Sequence, residues 1–179
     1  MPPVPVTLIG KMRPLLAITA LAVLVPSCGG GSSTITERLW VSGVPTDPKA
    51  KISAFATTRS GDDKYIGAFF SGSVLRGGHD VFEWHAEGKD GAKLVFLQDG
   101  TTRHLNFETC EPSRGFDHCI LVHGDPTGAE RYQSRKRWQV KRPGRRSAAT
   151  LVQDVMIELA ADDEELAAAL AAGDPDAEP

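Results

Sequence analysis

Few side chains in this sequence are spaced for chemistry. His85 and His104 fall on strand-like segments with one other between them, and Glu83 lies two residues before His85. A histidine–carboxylate set of this kind can hold a metal or move a proton. With one strand between them, the two histidine backbones would stand about 10 Å apart, which is wide for a shared ion. Two surface histidines on a solvated sheet face are the plainer reading. Asp117-His118 and His79-Asp80 are adjacent along strands, so their side chains point to opposite faces and form no dyad. Asp80, Glu83 and Glu108 offer no credible acid/base pair, and His123, before Gly124-Asp125-Pro126, needs only a turn. The sequence has no Gly-x-Ser-x-Gly elbow, phosphate loop, His-Glu-x-x-His or dinucleotide fingerprint. The expectation is therefore no catalytic residue, no metal site and no cofactor; an enzyme built around His85 and His104 is the weaker alternative.

The N-terminal residues carry a more specific pattern. Lys11 and Arg13 precede an apolar run from Leu15 to Val25, eleven residues against the roughly 20 that a spanning helix needs. Basic residues before a short apolar centre make a secretory signal, and Met12 is as good a start as Met1. Val25-Pro26-Ser27-Cys28 then resembles the lipobox of bacterial lipoproteins: a branched apolar residue, a variable one, a small one and Cys. The resemblance covers about residues 12–33. It implies cleavage before Cys28, diacylation of its sulfur (palmitate being one such chain) and residence on a membrane of the cell envelope. Gly29 after the Cys is similar to the pattern sent to the outer membrane, facing periplasm or cell surface. Gly29-Gly30-Gly31-Ser32-Ser33 reads as a flexible tether.

With Cys28 given to lipid, Cys110 and Cys119 remain of the three cysteines. Pro112, Ser113 and Gly115 between them are turn formers, so the segment reads as a hairpin tip closed by a disulfide in an oxidising compartment.

Charge is divided along the chain. Arg131, Arg135, Lys136, Arg137, Lys141, Arg142, Arg145 and Arg146 fall within sixteen positions, with Trp138 among them. A secreted chain does not meet nucleic acid. The last seven are thus either a charged strand and linker or a contact with anionic lipid headgroups or another acidic envelope polymer. After Arg146 there is no Lys or Arg, and nine carboxylates follow. Those acids could neutralise the basic seam within the same molecule.

The elements that must position these groups are mainly strands. Candidate strands at 35–43, 50–58, 64–75, 79–87, 92–98, 101–110, 117–123 and 129–140 are separated by Gly, Asp and Pro turns. This predicts an antiparallel meander of about eight strands, forming a small barrel or curled sheet. A two-residue turn at Asp99-Gly100 would set Leu94 opposite Leu105 and Phe96 opposite Arg103. A three-residue loop, Lys89-Asp90-Gly91, would pair Trp84 with Phe96 and Ala86 with Leu94. Together they put Phe82, Trp84, Ala86, Leu94, Phe96, Leu105 and Phe107 on one face, and His85, Val95 and His104 in one row on the other. Lipocalins are ligand-holding barrels of similar strand count, but their Gly-x-Trp motif is absent; Arg38-Leu39-Trp40 is the nearest sequence. Val152, Val155, Met156 and Leu159 follow helical spacing, and Leu166, Ala169 and Leu170 continue the stripe. Asp162 or Asp163 is placed to cap a second piece.

The expected organisation is a signal peptide at 1–27, lipidated Cys and tether at 28–34 and a β-domain at 35–140. A basic linker at 141–147, an amphipathic helix at 148–172 and an acidic tail at 173–179 follow. The expected role is a membrane-anchored, non-catalytic structural or interaction module, with another envelope protein as partner; the alternative is a carrier with a hollow barrel. Ordinary composition, 41% hydrophobic and 24% charged with net charge −3, fits one soluble domain and says nothing of oligomeric state.

Overall fold

The computed structural model describes residues 35–45, 50–61, 64–73, 76–140 and 150–173. Eight antiparallel strands run in sequence order and close into a barrel. They are β1 (Leu39–Val41), β2 (Ile52–Gly61), β3 (Lys64–Ser73), β4 (Arg76–Glu87), β5 (Gly91–Phe96), β6 (Thr102–Thr109), β7 (His118–His123) and β8 (Arg131–Ser134). All eight expected strands are present. Closure is made by short β1, where Val41 pairs with Gln133 and Arg38 bridges to Gln139. Leu39 N–H donates to Trp138 O at 3.1 Å and Val140 N–H to Glu37 O at 2.9 Å.

Alternation in the strands divides the apolar residues between two cores. The inward set fills the barrel: Trp40, Phe55, Phe69, Phe82, Trp84 and Tyr132, with Leu94, Phe96, Leu105 and Phe107. Their rings meet directly. Phe55 lies 5.2 Å from Phe69, Phe69 lies 5.1 Å from Phe82, and Trp84 stacks on Phe107 at 5.2 Å. Gly67 makes room for this packing. A Cβ there would stand 2.5 Å from the Phe82 ring and 2.8 Å from the Ala56 carbonyl.

The expected inward face is correct except at Ala86, which is exposed at its strand end, but the register is not as expected. Leu94 faces Arg103, Trp84 faces Leu94 and Phe82 faces Phe96. Each pair is displaced by two residues, which keeps every side chain on its face. The cause lies in the turns. A two-residue type I′ turn needs positive φ at both Asp99 and Gly100, and only Gly100, at 71°, has it. Asp99 instead accepts from Thr101 N–H at 2.9 Å and Thr101 Oγ1 at 2.7 Å. The loop becomes four residues long, with Phe96 N–H donating to Thr101 O. The preceding loop is Gly88-Lys89-Asp90, one residue earlier than expected, with Gly88 at φ 66°.

The second core lies outside the barrel wall. The single helix expected over 148–172 is two: α1 (Leu151–Ala160) and α2 (Glu164–Gly173). Leu151, Val152, Val155 and Met156 of α1 and Leu166 of α2 bury their stripe on the outer face of β1–β4. That face is built of Leu39, Val41, Ile52 and Phe70, with Ala54, Ala56 and Ala68 bringing the helices close. The break follows from Asp163, whose Oδ1 accepts from Leu166 N–H at 3.2 Å and caps α2. No helix among the described residues is long and apolar enough to cross a membrane.

Cys110, just after β6, and Cys119, on β7, form the expected disulfide, with Cα atoms 5.0 Å apart. Cross-linking so short a loop contributes about 3 kcal/mol. Cys110→Ser is expected to lower the melting temperature by about 10 °C while leaving the protein in the same cell fraction. An unchanged melting temperature would show that the bond carries no stability.

Candidate functional site

Two places hold the chemistry-bearing side chains. The first is the outer face of β4–β7, which the helices leave uncovered. His85, Lys93 and His104 occupy one row across three strands, so Lys93 rather than Val95 separates the histidines. His85, His104 and His123 each have their own carboxylate. His104 Nδ1 is 2.7 Å from Glu87 Oε2, His85 Nε2 is 3.6 Å from Glu83 Oε2, and His123 Nε2 is 3.7 Å from Glu108 Oε2. Glu83, His85 and His104 are therefore not one converging set. A shallow cleft of about 130 Å³ borders Glu83 and His85, with Lys64 and Tyr65 on its other side. Among the described residues, no three His, Cys, Asp or Glu side chains are placed to hold a metal ion.

The second place is the end of the barrel where β1 and β7 begin and β8 ends. Here Arg135 lies between two aromatic rings, its guanidinium carbon 5.4 Å from the Phe116 centroid and 5.1 Å from that of Trp138. Phe116 belongs to the disulfide-closed loop, so the staple also fixes one wall of this slot. Arg135 Nη1 donates to both oxygens of Asp163, at 2.7 and 2.8 Å, and Nη2 bonds Glu165. Asp163 Oδ2 also accepts from Trp138 Nε1 at 2.8 Å and Arg137 Nε at 3.1 Å. The Asp163 side chain is 0% exposed and that of Arg135 8%. Burial works to raise the Asp163 carboxyl. The donors from Arg137, Leu166 and Trp138 and the charge of Arg135 outweigh it and hold the group below its ordinary value.

The acidic segment thus neutralises part of the basic seam within the molecule. Of the seven basic residues expected to face an anionic surface, Arg135 is buried against Asp163, and Arg137 pairs with the same carboxylate at 2.8 Å. Lys136 is exposed, while Lys141, Arg142, Arg145 and Arg146 lie outside the described residues, as does Cys28.

Beside this clamp stands a group that strand-by-strand reading missed. Arg38 Nη1 donates to Arg135 O at 2.7 Å. Asp117 accepts from Lys136 N–H at 2.7 Å. The His118 Nε2 atom is buried without a hydrogen-bond partner. Burial lowers the Arg38 pKa, and Asp117 only partly offsets it. Burial likewise lowers His118, with the positive charges of Arg38 and Lys136 adding to the shift and Asp117 opposing it. The spacing Asp117-His118 was visible in the sequence; its proximity to Arg38 depended on barrel closure.

At the far end of the barrel, Tyr132 is fully buried and donates to Asp125 Oδ2 at 3.0 Å; burial pushes its phenol pKa up. Asp125 also accepts from Ala129 N–H at 2.7 Å and Thr127 N–H at 3.0 Å. The Gly124-Asp125-Pro126 segment is thus a structural cap of the β7–β8 loop. An open polar cleft of about 190 Å³ lies at the same end, between Asp80, Asp99, Arg103 and Phe96.

The fold and these sites define an eight-stranded antiparallel barrel with a charge-clamped helical pair. No family model matches the chain, and no curated protein or solved structure is significantly similar to it.

Proposed function

We propose that this chain is a lipid-anchored envelope lipoprotein whose barrel is a non-catalytic structural or interaction module. The observation that carries the non-catalytic part is the filled interior. Ten apolar or aromatic side chains named above occupy the barrel, leaving its outer surface and ends to meet other molecules. This speaks against the carrier alternative, which needs a lined interior. The separate histidine–carboxylate pairs speak against a site shared by His85 and His104. The anchor rests on the lipobox-like Val25-Pro26-Ser27-Cys28, followed by a tether that ends where Ile35 is held in the barrel by Trp40 Nε1 at 2.9 Å. Two or more acyl chains hold a protein on a bilayer lastingly, whereas one does so marginally. The outer membrane, facing periplasm or surface, is the proposed site, and another envelope protein the proposed partner. Pull-down from crosslinked envelopes, with Cys28→Ser as control, tests the module: partner species that disappear with the anchor support it, and an identical profile contradicts it.

A further inference from the structure

We infer that the barrel end carrying Arg38, Arg114, His118 and Lys136 receives the anionic headgroups of the phospholipid bilayer. This deepens the anchoring reading and rests on it. The argument begins with topology. Leu39 opens β1, His118 opens β7 and Ser134 closes β8, so their flanking residues gather at one end. Ile35, four residues before β1, is buried in the wall at that end. Six residues separate it from Cys28, and at 3.3–3.6 Å per residue the connection reaches at most about 25 Å. An acyl chain on Cys28 therefore tethers the barrel from this end rather than from the one with Asp80 and Arg103.

The chemistry of this end fits such a surface. Asp163 and Glu165 are taken up by Arg135 and Arg137. At the hollow beside Asp117, Arg114 and Lys136 are the near cations, with the partly buried Arg38 close to the same carboxylate. Arg114 and Lys136 are exposed, and an open hollow of about 290 Å³ between Gly115, Asp117 and Lys136 lies beside them. Burial lowers the proton affinities of Arg38 and His118, and at His118 the charges of Arg38 and Lys136 add to it. Each Lys or Arg near an anionic leaflet adds to binding, and the attraction fades within a Debye length.

The test uses residues 28–179, which contain every element among the described residues, with Cys28→Ser so that no acyl chain is present. Sedimentation with phosphatidylglycerol–phosphatidylcholine vesicles is expected to exceed that with phosphatidylcholine alone and to weaken with salt. The double variant Arg114→Glu/Lys136→Glu removes two charges whose exposed side chains make no bond among the described residues. It is expected to keep the parent melting temperature and to bind anionic vesicles at least about tenfold more weakly. Equal binding to both vesicle types overturns the proposal. So does a double variant that binds as the parent does, because the basic residues 141–146 are unchanged in it. Failure of the anchor is read separately, from the mass of the Cys28 peptide in the native protein.

Discussion

Asp163→Ala is expected to lower unfolding stability by about 3 kcal/mol or more, read as the urea midpoint. The carboxylate is fully buried and accepts from Arg135, Arg137, Trp138 and the Leu166 N–H. Removing one partner of a buried ion pair leaves the other unsatisfied, which is the costly case. Glu165 still meets Arg135, and Arg137 is 55% exposed and contributes little. Most of the loss thus comes from Arg135 Nη1, Trp138 Nε1 and the lost cap of α2. Trp138 fluorescence should shift as the helical pair loosens from the wall. The same group sets a pH dependence. Its folded pKa lies below the unfolded value of about 3.9, so its contribution is complete above about pH 4. It is lost as pH falls through the folded value. The parent should lose stability in that acid window, and Asp163→Ala should lose less. A variant within about 1 kcal/mol of the parent would mean that apolar packing alone holds the helices.

Phe82→Ala carries the other large effect. The ring is 0% exposed, lies 5.1 Å from Phe69 and 6.1 Å from Phe96, and covers Gly67. Truncation of a buried Phe costs about 3–5 kcal/mol, with the spread set by how far the neighbours collapse. Apolar cavities of this kind stay dry and admit small apolar molecules. Benzene is therefore expected to stabilise Phe82→Ala and not the parent. Stabilisation of both to the same degree would mean that the native barrel already holds an apolar chamber, and the carrier reading would return.

The inward face was legible in the sequence because alternation survives errors of register. Phe82, Trp84, Leu94, Phe96, Leu105 and Phe107 keep their face whether pairs move by two residues or not. The register itself was not legible, because Asp99 serves as an acceptor for Thr101 rather than as the first half of a two-residue turn. The disulfide could be read from a short spacing filled with turn formers. The helical stripe was readable too, and so was a second piece capped by Asp162 or Asp163; which of the two caps it depends on Leu166 N–H, which bonds Asp163. The charge clamp was visible only as two oppositely charged segments. Its geometry joins Phe116, Arg135, Trp138 and Asp163, which meet because the barrel closes and the helices fold back across β1–β4. The meeting of Arg38 with His118 escaped for the same reason: it is made by barrel closure, not by a local pattern.

The proposed anchor stands or falls on the state of one sulfur. Intact mass and N-terminal peptide analysis of the protein from native membranes should find Cys28 as the first residue, bearing a diacylglyceryl thioether. A chain that retains residues before 28 and carries an unmodified thiol there would contradict the account, and with it the orientation of the basic end toward the bilayer.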